Sequence, residues 1–94
     1  MKRISKIIVR GKVQGVFYRD FVKQNAEKLR IEGTVQNSSD GSVIINACGQ
    51  SENIEDLIDA LYQGPPKSNV EQIIEEPIIK GRNFRGVFRI IGSN

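Results

Sequence analysis

The order of strand-like and helix-like segments is the feature of this sequence that most limits the fold it can adopt. Alternating apolar and polar residues predict strands, and apolar residues three or four apart predict helices. By these rules the segments follow one another as strand 5–13, helix 20–29, strand 33–37, strand 42–48, helix 53–63, strand 70–78 and strand 84–91. This β-α-β-β-α-β order with a short terminal strand predicts an α+β protein with a ferredoxin-like α/β plait, in which two helices cover one face of an antiparallel sheet.

Residue types within these segments support a large sheet. Isoleucine outnumbers leucine fourteen to three, and eight valines add to the β-branched excess. Asp40-Gly41 predicts the turn of a hairpin between the second and third strands. Val70 and Ile73 lie three residues apart, which predicts a bulge in the fourth strand, and Pro77 predicts that strand's end or an edge position. With 94 residues, no repeat and no linker, the sequence predicts one domain over 1–94.

The residue types that are missing exclude several chemistries. The chain contains no histidine, so it has no Ser-His-Asp or Cys-His nucleophilic site, no histidine base and no zinc site with histidine ligands. Its single cysteine, Cys48, excludes an intrachain disulfide and multi-cysteine metal sites, and its apolar neighbours favour a packing role. We therefore expect a function that needs neither ordinary acid–base catalysis at neutral pH nor a tightly held transition metal.

Charge is distributed unevenly along the chain. Residues 1–30 carry nine Lys or Arg against two acidic residues, and residues 31–78 carry nine acidic residues against one lysine. This pattern fits either scattered solvated charge or a positive face suited to an anionic ligand. No secretory signal precedes Arg10, and no segment approaches the roughly 20 apolar residues of a membrane span. We therefore expect a cytoplasmic protein without a membrane partner, and the small size favours a monomer.

The most informative segment joins the first strand to the first helix. It reads Gly-Lys-Val-Gln-Gly-Val-Phe-Tyr-Arg over residues 11–19. A glycine-containing loop that runs into a helix start can direct successive backbone N–H groups at an anion, helped by the helix dipole. The planar guanidinium of Arg19 would then bind two oxygens of a phosphate or carboxylate at once. From geometry alone, a plain turn followed by a solvated arginine fits equally well.

Residues 11–19 closely resemble the signature of the acylphosphatases. The resemblance continues through a helix with Ala26 and Leu29, the strand Gly-Thr-Val-Gln-Asn at 33–37 and the Asp-Gly turn. The weaker second half of the family pattern is matched by Gly64-Pro65, Val70, Ile73 and Phe88-x-Ile90. The resemblance therefore covers nearly the whole chain.

The resemblance implies hydrolysis of acyl phosphates, the mixed anhydrides of a carboxylic acid and phosphate, without a metal or other cofactor. The family's catalytic arginine and asparagine match Arg19 and Asn37. The implied phosphate-binding loop, which acts mainly through its backbone, comprises Gln14, Gly15, Val16, Phe17, Tyr18 and Arg19. Asn37 would orient the attacking water, and the substrate's own phosphate would accept the proton. The implied partners are a small anionic acyl phosphate and its product, inorganic phosphate.

The residue inventory suits this chemistry. The conjugate acid of a carboxylate leaving group has a pKa of about 4, so its departure needs little help from a protein acid. A loose phosphoryl-transfer transition state mainly requires positioning and stabilisation of charge, which an arginine and a ring of amides provide. The absence of histidine is therefore no obstacle to catalysis of this particular reaction.

Three positions depart from the family pattern. Thr34 replaces a usual aromatic residue, and Gln36 replaces an arginine that often precedes the asparagine; both are interpreted as peripheral to the chemistry. Arg30 replaces the glycine that usually closes the first helix, and a left-handed backbone there would cost about 1 kcal/mol. Two roles stay open: Gln14 as a brace of the loop, and Asp20 as a partner of Arg19 or a helix cap.

Two other functions compete with this interpretation. The same topology carries RNA-recognition domains, and a pI of about 9.2 fits nucleic-acid binding. Those domains stack bases on aromatic residues of their central strands, whereas residues 7–10 and 43–47 contain none, so no nucleic-acid partner is expected. Acylphosphatase-like units also occur as carbamoyl-phosphate-handling parts of larger hydrogenase-maturation proteins. At 94 residues, this chain is expected to be free-standing.

Overall fold

The computed structural model describes residues 1–79 and 83–92 and contains the predicted elements in the predicted order. They are β1 (Lys2–Lys12), α1 (Tyr18–Lys28), β2 (Glu32–Asn37), β3 (Val43–Gln50), α2 (Ser51–Gln63), β4 (Asn69–Pro77) and β5 (Phe88–Ile90). The strands form a sheet in the order β4-β1-β3-β2-β5. The first four strands of that order pair antiparallel, whereas the short terminal β5 runs parallel to β2, so the sheet is mixed. The predicted ferredoxin-like arrangement is confirmed, but the last strand covers only three of the predicted residues 84–91, and its parallel pairing departs from the antiparallel sheet that the sequence predicts.

Both helices pack on the same face of the sheet, because alternate side chains of each strand point toward them. The strands contribute buried residues to this core: Ile7, Val9, Val35, Val43, Ile45 and Ala47. The helices contribute residues at helical spacing: Val22, Ala26, Ile54, Leu57 and Leu61. Each buried Val, Leu or Ile contributes about 1.5–3 kcal/mol relative to exposure, so the core holds the ends of the strands in fixed positions. No helix in the described ranges is long and apolar enough to cross a membrane.

A bulge in β4 shifts the pairing register between β4 and β1 near the end of β1. Gly11 pairs with Val70 while the residue before it pairs with Gln72, so Glu71 is the extra residue on β4. The bulge that the sequence predicts in this strand is therefore confirmed. Gly11 has φ of 129°, and a Cβ atom there would overlap the carbonyl oxygen of Asn69, so the close approach requires glycine.

The turn between β2 and β3 forms where Asp40-Gly41 predicts it. The Asp40 carboxylate accepts hydrogen bonds from the hydroxyl and the backbone N–H of Ser42, at 2.6 and 3.0 Å. These hydrogen bonds hold the pKa of Asp40 below its usual range. Gly41 takes a φ of 92°, which completes the turn. The hairpin thereby fixes the end of β2, where Asn37 lies.

The edge strand β4 ends at Pro77, as predicted, and an ionic cluster attaches it to β1. Arg3 donates to both carboxylate oxygens of Glu75 at 2.6–2.9 Å, and the Ser5 hydroxyl donates to the same carboxylate at 2.6 Å. Burial raises the pKa of Glu75, but these hydrogen bonds outweigh burial and leave the pKa below its usual value. Because the cluster lies at the far end of β1 from residues 11–19 and its members are paired, its role is structural.

Helix α1 ends in a left-handed residue that is not glycine. Arg30 has φ of 56°, its N–H donates to the carbonyl of Glu27, and the N–H of Ile31 donates to the carbonyl of Ala26. This pair of bonds forms a Schellman motif, whose left-handed position usually holds glycine. The strain that the sequence predicts for Arg30 is therefore present.

Replacing Arg30 by glycine should stabilise the protein. We expect Arg30→Gly to raise the free energy of unfolding by about 0.5–1 kcal/mol in chemical denaturation, because the left-handed penalty exceeds the added entropy of the unfolded chain. Gln24→Gly, at an exposed position within α1, is the matched control and should lower the free energy of unfolding by about 1 kcal/mol. Equal destabilisation by both changes would contradict the assignment of strain to Arg30.

Candidate active site

The loop between β1 and α1 bends through two left-handed residues. Gly15 has φ of 72°, and Phe17, which directly precedes α1, has φ of 63°. Left-handed residues alternating with right-handed ones turn successive N–H groups toward one side and form an anion-binding concavity. Glycine adopts this conformation freely, but for Phe17 it costs about 1–2 kcal/mol. Backbone strain thus coincides with the segment that the sequence predicts to bind phosphate.

The N–H groups of this loop are available to a ligand. Among the described residues, no acceptor takes a hydrogen bond from the backbone N–H groups of residues 14–19. These groups include the first N–H groups of α1, which carry the positive end of its dipole. Arg19, in the first turn, forms no ion pair or hydrogen bond within the described part of the chain. A row of unused donors and an unpaired guanidinium therefore lie side by side.

A cavity of about 290 Å³ brings this loop together with Asn37. Its lining consists of Val13, Gly15, Phe17, Tyr18, Arg19, Asp20 and Asn37. Asn37 is the last residue of β2, and its side-chain Oδ1 is buried without a hydrogen-bond partner in residues 1–79 and 83–92. A buried acceptor without a donor is rare and costly unless a bound molecule donates to it. We therefore interpret Asn37 as a side chain that binds a ligand or a water in this cavity.

Gln14 fixes the distance between the loop and the hairpin that carries Asn37. Its side-chain Nε2 donates to the carbonyl oxygens of Ser38 and Ser42, at 2.8 and 2.9 Å. These two carbonyls lie at the two ends of the hairpin turn, so a single amide group binds the turn next to both strands. The bracing role left open for Gln14 is confirmed.

Tyr18 anchors the start of α1 to the end of α2. Its side chain is 1% exposed, and its hydroxyl donates to the carbonyl oxygen of Leu61 at 2.7 Å. That carbonyl has no intrahelical donor, because the residue four positions later is Pro65, which lacks an N–H. Burial raises the pKa of the Tyr18 phenol, which stays protonated as the donor. Sequence reasoning missed this bond, although the spacing from Leu61 to Pro65 was its signal.

The structure brings most, but not all, of the predicted site residues together. Those that line the cavity are Gly15, Phe17, Tyr18, Arg19 and Asn37. Gln14 acts as the brace instead, and Val16 packs into the core at 8% exposure. Asp20 lines the cavity, but among the described residues it neither bonds to Arg19 nor caps α1, so neither role left open for it is observed.

The departures from the family pattern in β2 lie away from the cavity. Thr34 and Gln36 point to the face of the sheet opposite the helices, since Asn37 and the buried Val35 occupy the other face. Thr34 accepts a hydrogen bond from the side chain of Asn46 at 3.3 Å. Neither residue therefore lines the candidate cavity, as predicted.

Cys48 is a packing residue, as its apolar neighbours predict. It is a free cysteine at 2% exposure. Burial raises the pKa of its thiol, which lowers the thiolate fraction and hence its reactivity.

A larger cavity, of about 610 Å³, lies where β2 meets β5. Its lining consists of Gly33, Thr34, Asn83, Phe84, Arg85 and Arg89. It contains two arginines but no helix N-terminus. We place the candidate site in the smaller cavity because it is lined by loop residues with unused N–H groups, by Arg19 and by Asn37.

Known proteins resemble this chain in both sequence and structure. The family model for acylphosphatase matches residues 5–90. An acylphosphatase of Lacticaseibacillus paracasei is 42% identical over 93 residues, covering 98% of this chain and 99% of that protein. The crystal structure of acylphosphatase from Bacillus subtilis has a TM-score of 0.90 at 34% identity and covers 97% of this chain and 99% of its own. HypF of T. kodakarensis has a TM-score of 0.85 at 33% identity and covers all of this chain, which spans 12% of HypF.

Converting Gln14 to glutamate should destabilise the protein. A carboxylate cannot donate, so the carbonyls of Ser38 and Ser42 would each keep only a backbone N–H donor, and both would face a partly buried negative charge in place of the Gln14 amide. We expect Gln14→Glu to lower the free energy of unfolding by about 2 kcal/mol in urea denaturation. Gln24→Glu, the same exchange at an exposed position of α1, should stay within about 0.5 kcal/mol of the unaltered protein. Similar values for both variants would refute the bracing role.

Proposed function

The chain is an enzyme of the acylphosphatase family, whose reaction is the hydrolysis of acyl phosphates, and we propose that Arg19, the loop N–H groups and Asn37 perform it here without a metal. One observation carries this proposal. One cavity is lined by loop residues whose N–H groups are unused, by the unpaired Arg19 and by Asn37, whose Oδ1 is buried and unpartnered among the described residues.

The loop and Arg19 bind the phosphoryl group in this proposal. The guanidinium fork matches two phosphate oxygens, and the N–H groups at the start of α1 donate to the remaining charge. Because these donors are held by the backbone, they do not reorganise as charge develops in the transition state. The Gln14 bonds and the Tyr18 bond support this rigidity from the hairpin and from α2.

Asn37 orients the attacking water. A side-chain amide both accepts from and donates to water, so its Oδ1 can align a water proton while the water oxygen attacks phosphorus. A bond forms between the water oxygen and phosphorus, the bond between phosphorus and the acyl oxygen breaks, and a water proton passes to a phosphate oxygen. The products are a carboxylate and dihydrogen phosphate, which together carry the charge of the dianionic substrate.

The leaving group makes a protein acid unnecessary. A carboxylate departs without protonation at neutral pH, because its conjugate acid has a pKa of about 4. No protein group therefore has to change its protonation state during the reaction, which fits a chain without histidine.

The open face of the sheet argues against RNA binding. Along β1 and β3 this face carries Ile4, Lys6, Ile8, Arg10, Ile44 and Asn46. None of these side chains is aromatic, and within these two described strands there is no surface on which bases could stack.

The chain matches a segment of HypF, but it also matches nearly the whole of the Bacillus subtilis and Lacticaseibacillus paracasei proteins. We therefore prefer an enzyme of one domain over residues 1–94 to a carbamoyl-phosphate-handling part of a larger protein. The cytoplasmic location and the monomeric state stay predictions from the sequence.

Substitutions of Arg19 and Asn37 should have different effects on kinetics. Arg19→Ala removes the phosphate fork, so we expect the inhibition constant of inorganic phosphate to rise at least about tenfold. Asn37→Ala removes the water-orienting group, so kcat on benzoyl phosphate should fall by about 10²–10³ while inhibition by phosphate changes little. Steady-state kinetics with phosphate as inhibitor measures both.

One arginine and one asparagine that lie outside the cavity provide controls for this experiment. Arg89→Ala lies in the larger cavity and Asn46→Ala on the open sheet face, so both variants should retain kcat and phosphate inhibition. Folded Arg19→Ala and Asn37→Ala variants that keep full activity would refute the assignment of the site.

Turnover should depend on neither metal nor a titrating imidazole. We expect excess EDTA to leave hydrolysis of benzoyl phosphate unchanged, because charge stabilisation comes from Arg19 and amides. With saturating substrate, kcat should be nearly flat between about pH 5.5 and 7.5. Loss of activity in EDTA, or a steep ionisation in that range that does not arise from the substrate, would contradict the mechanism.

A further inference from the structure

A second cavity adjoins the candidate site and has a different chemical character. Its volume is about 260 Å³, and it is lined by Val16, Phe17, Pro65, Pro66 and Lys67. Apart from Lys67, these side chains are apolar. Phe17 lines both cavities, so the apolar surface begins where the phosphate loop ends. We call these five residues the apolar shelf.

The exposure of Phe17 has no structural explanation. Its side chain is 80% exposed, so it adds little to the core, and its left-handed backbone is strained. A glycine would provide the same backbone conformation without strain and without exposing an aromatic ring. A strained residue that also exposes a large apolar group beside a binding site indicates a role in binding.

The opposite wall of the apolar shelf is rigid. Pro65 and Pro66 have fixed φ angles, and the carbonyl of Pro65 accepts hydrogen bonds from both the N–H and the hydroxyl of Ser68, at 3.0 and 2.7 Å. The bond from Tyr18 to Leu61 attaches this wall to the residue that follows Phe17. The backbone of both walls is therefore held in place before a ligand binds, which lowers the entropy lost on binding.

We propose that the apolar shelf binds the acyl group of the substrate and makes the enzyme prefer acyl phosphates with an apolar acyl group over those with a small or polar one. The inference rests on the proposed function, since the phosphoryl group must occupy the neighbouring cavity. Asn37 lines that cavity and not the apolar shelf, so the attacking water and the departing acyl group have separate places, as in-line displacement requires. Phe17 and Pro66 are the specificity-determining residues.

The test compares kcat/KM for benzoyl phosphate and acetyl phosphate in variants of the apolar shelf. The measured quantity is the ratio of the two values relative to the ratio of the unaltered enzyme, which cancels the different intrinsic reactivities of the substrates. We expect Phe17→Gly and Pro66→Ser each to lower this ratio about fivefold or more, because each change removes apolar contact with benzoyl. Tyr62→Ala, at a 55% exposed aromatic residue outside both cavities, is the matched control and should leave the ratio unchanged.

The outcomes separate this inference from the proposed function. Phe17→Gly relieves strain and Pro66 is exposed, so both variants should fold, which thermal denaturation checks. A ratio that stays the same in both folded variants, while the unaltered enzyme hydrolyses both substrates, overturns the inference and leaves the proposed function intact. Sedimentation of the same variants then shows whether the apolar shelf instead binds a second copy of the chain. If the unaltered enzyme hydrolyses neither substrate, both conclusions fail.

Discussion

The paired hydrogen bonds of the Gln14 side chain are the interaction on which the site depends. Arg19 lies in the first turn of a helix and Asn37 ends a strand, and no hydrogen bond joins these two residues in the described structure. Gln14 connects their supports, since it belongs to the loop before Arg19 and binds both sides of the hairpin turn after Asn37. In the proposed mechanism a water on Asn37 and a phosphate on Arg19 must meet within bonding distance, so the precision of this brace would control whether they react.

Backbone strain separates functional from structural features in this chain. Arg30 and Phe17 both adopt a left-handed conformation that favours glycine. At Arg30 the strain closes a helix by hydrogen bonds, and a glycine would serve as well or better. At Phe17 the same strain shapes the loop that lines the cavity, and the residue also exposes an aromatic ring beside it, so a glycine would preserve only the first of these effects.

The sequence predicts the scaffold better than the contacts that support the site. Element order, the bulge after Val70, the end of β4 at Pro77 and the Asp40-Gly41 turn follow from local rules, because periodicity and turn chemistry act over a few residues. The length and direction of β5 do not follow from local rules, since they depend on its pairing with β2, which is distant in sequence. Arg19 and Asn37 emerge from family resemblance, whereas the bond between Tyr18 and Leu61 joins residues 43 apart and becomes visible only in three dimensions.

Binding of inorganic phosphate to isotope-labelled protein, followed by NMR, tests the central claim most directly. If the loop N–H groups and Arg19 form the phosphate site, the amide resonances of residues 14–19 and the side-chain Nε–H of Arg19 should shift together with one dissociation constant. Resonances of Arg85 and Arg89, in the larger cavity, should stay in place. Shifts confined to those two arginines, or no shift in the loop at phosphate concentrations that inhibit hydrolysis, would contradict the account.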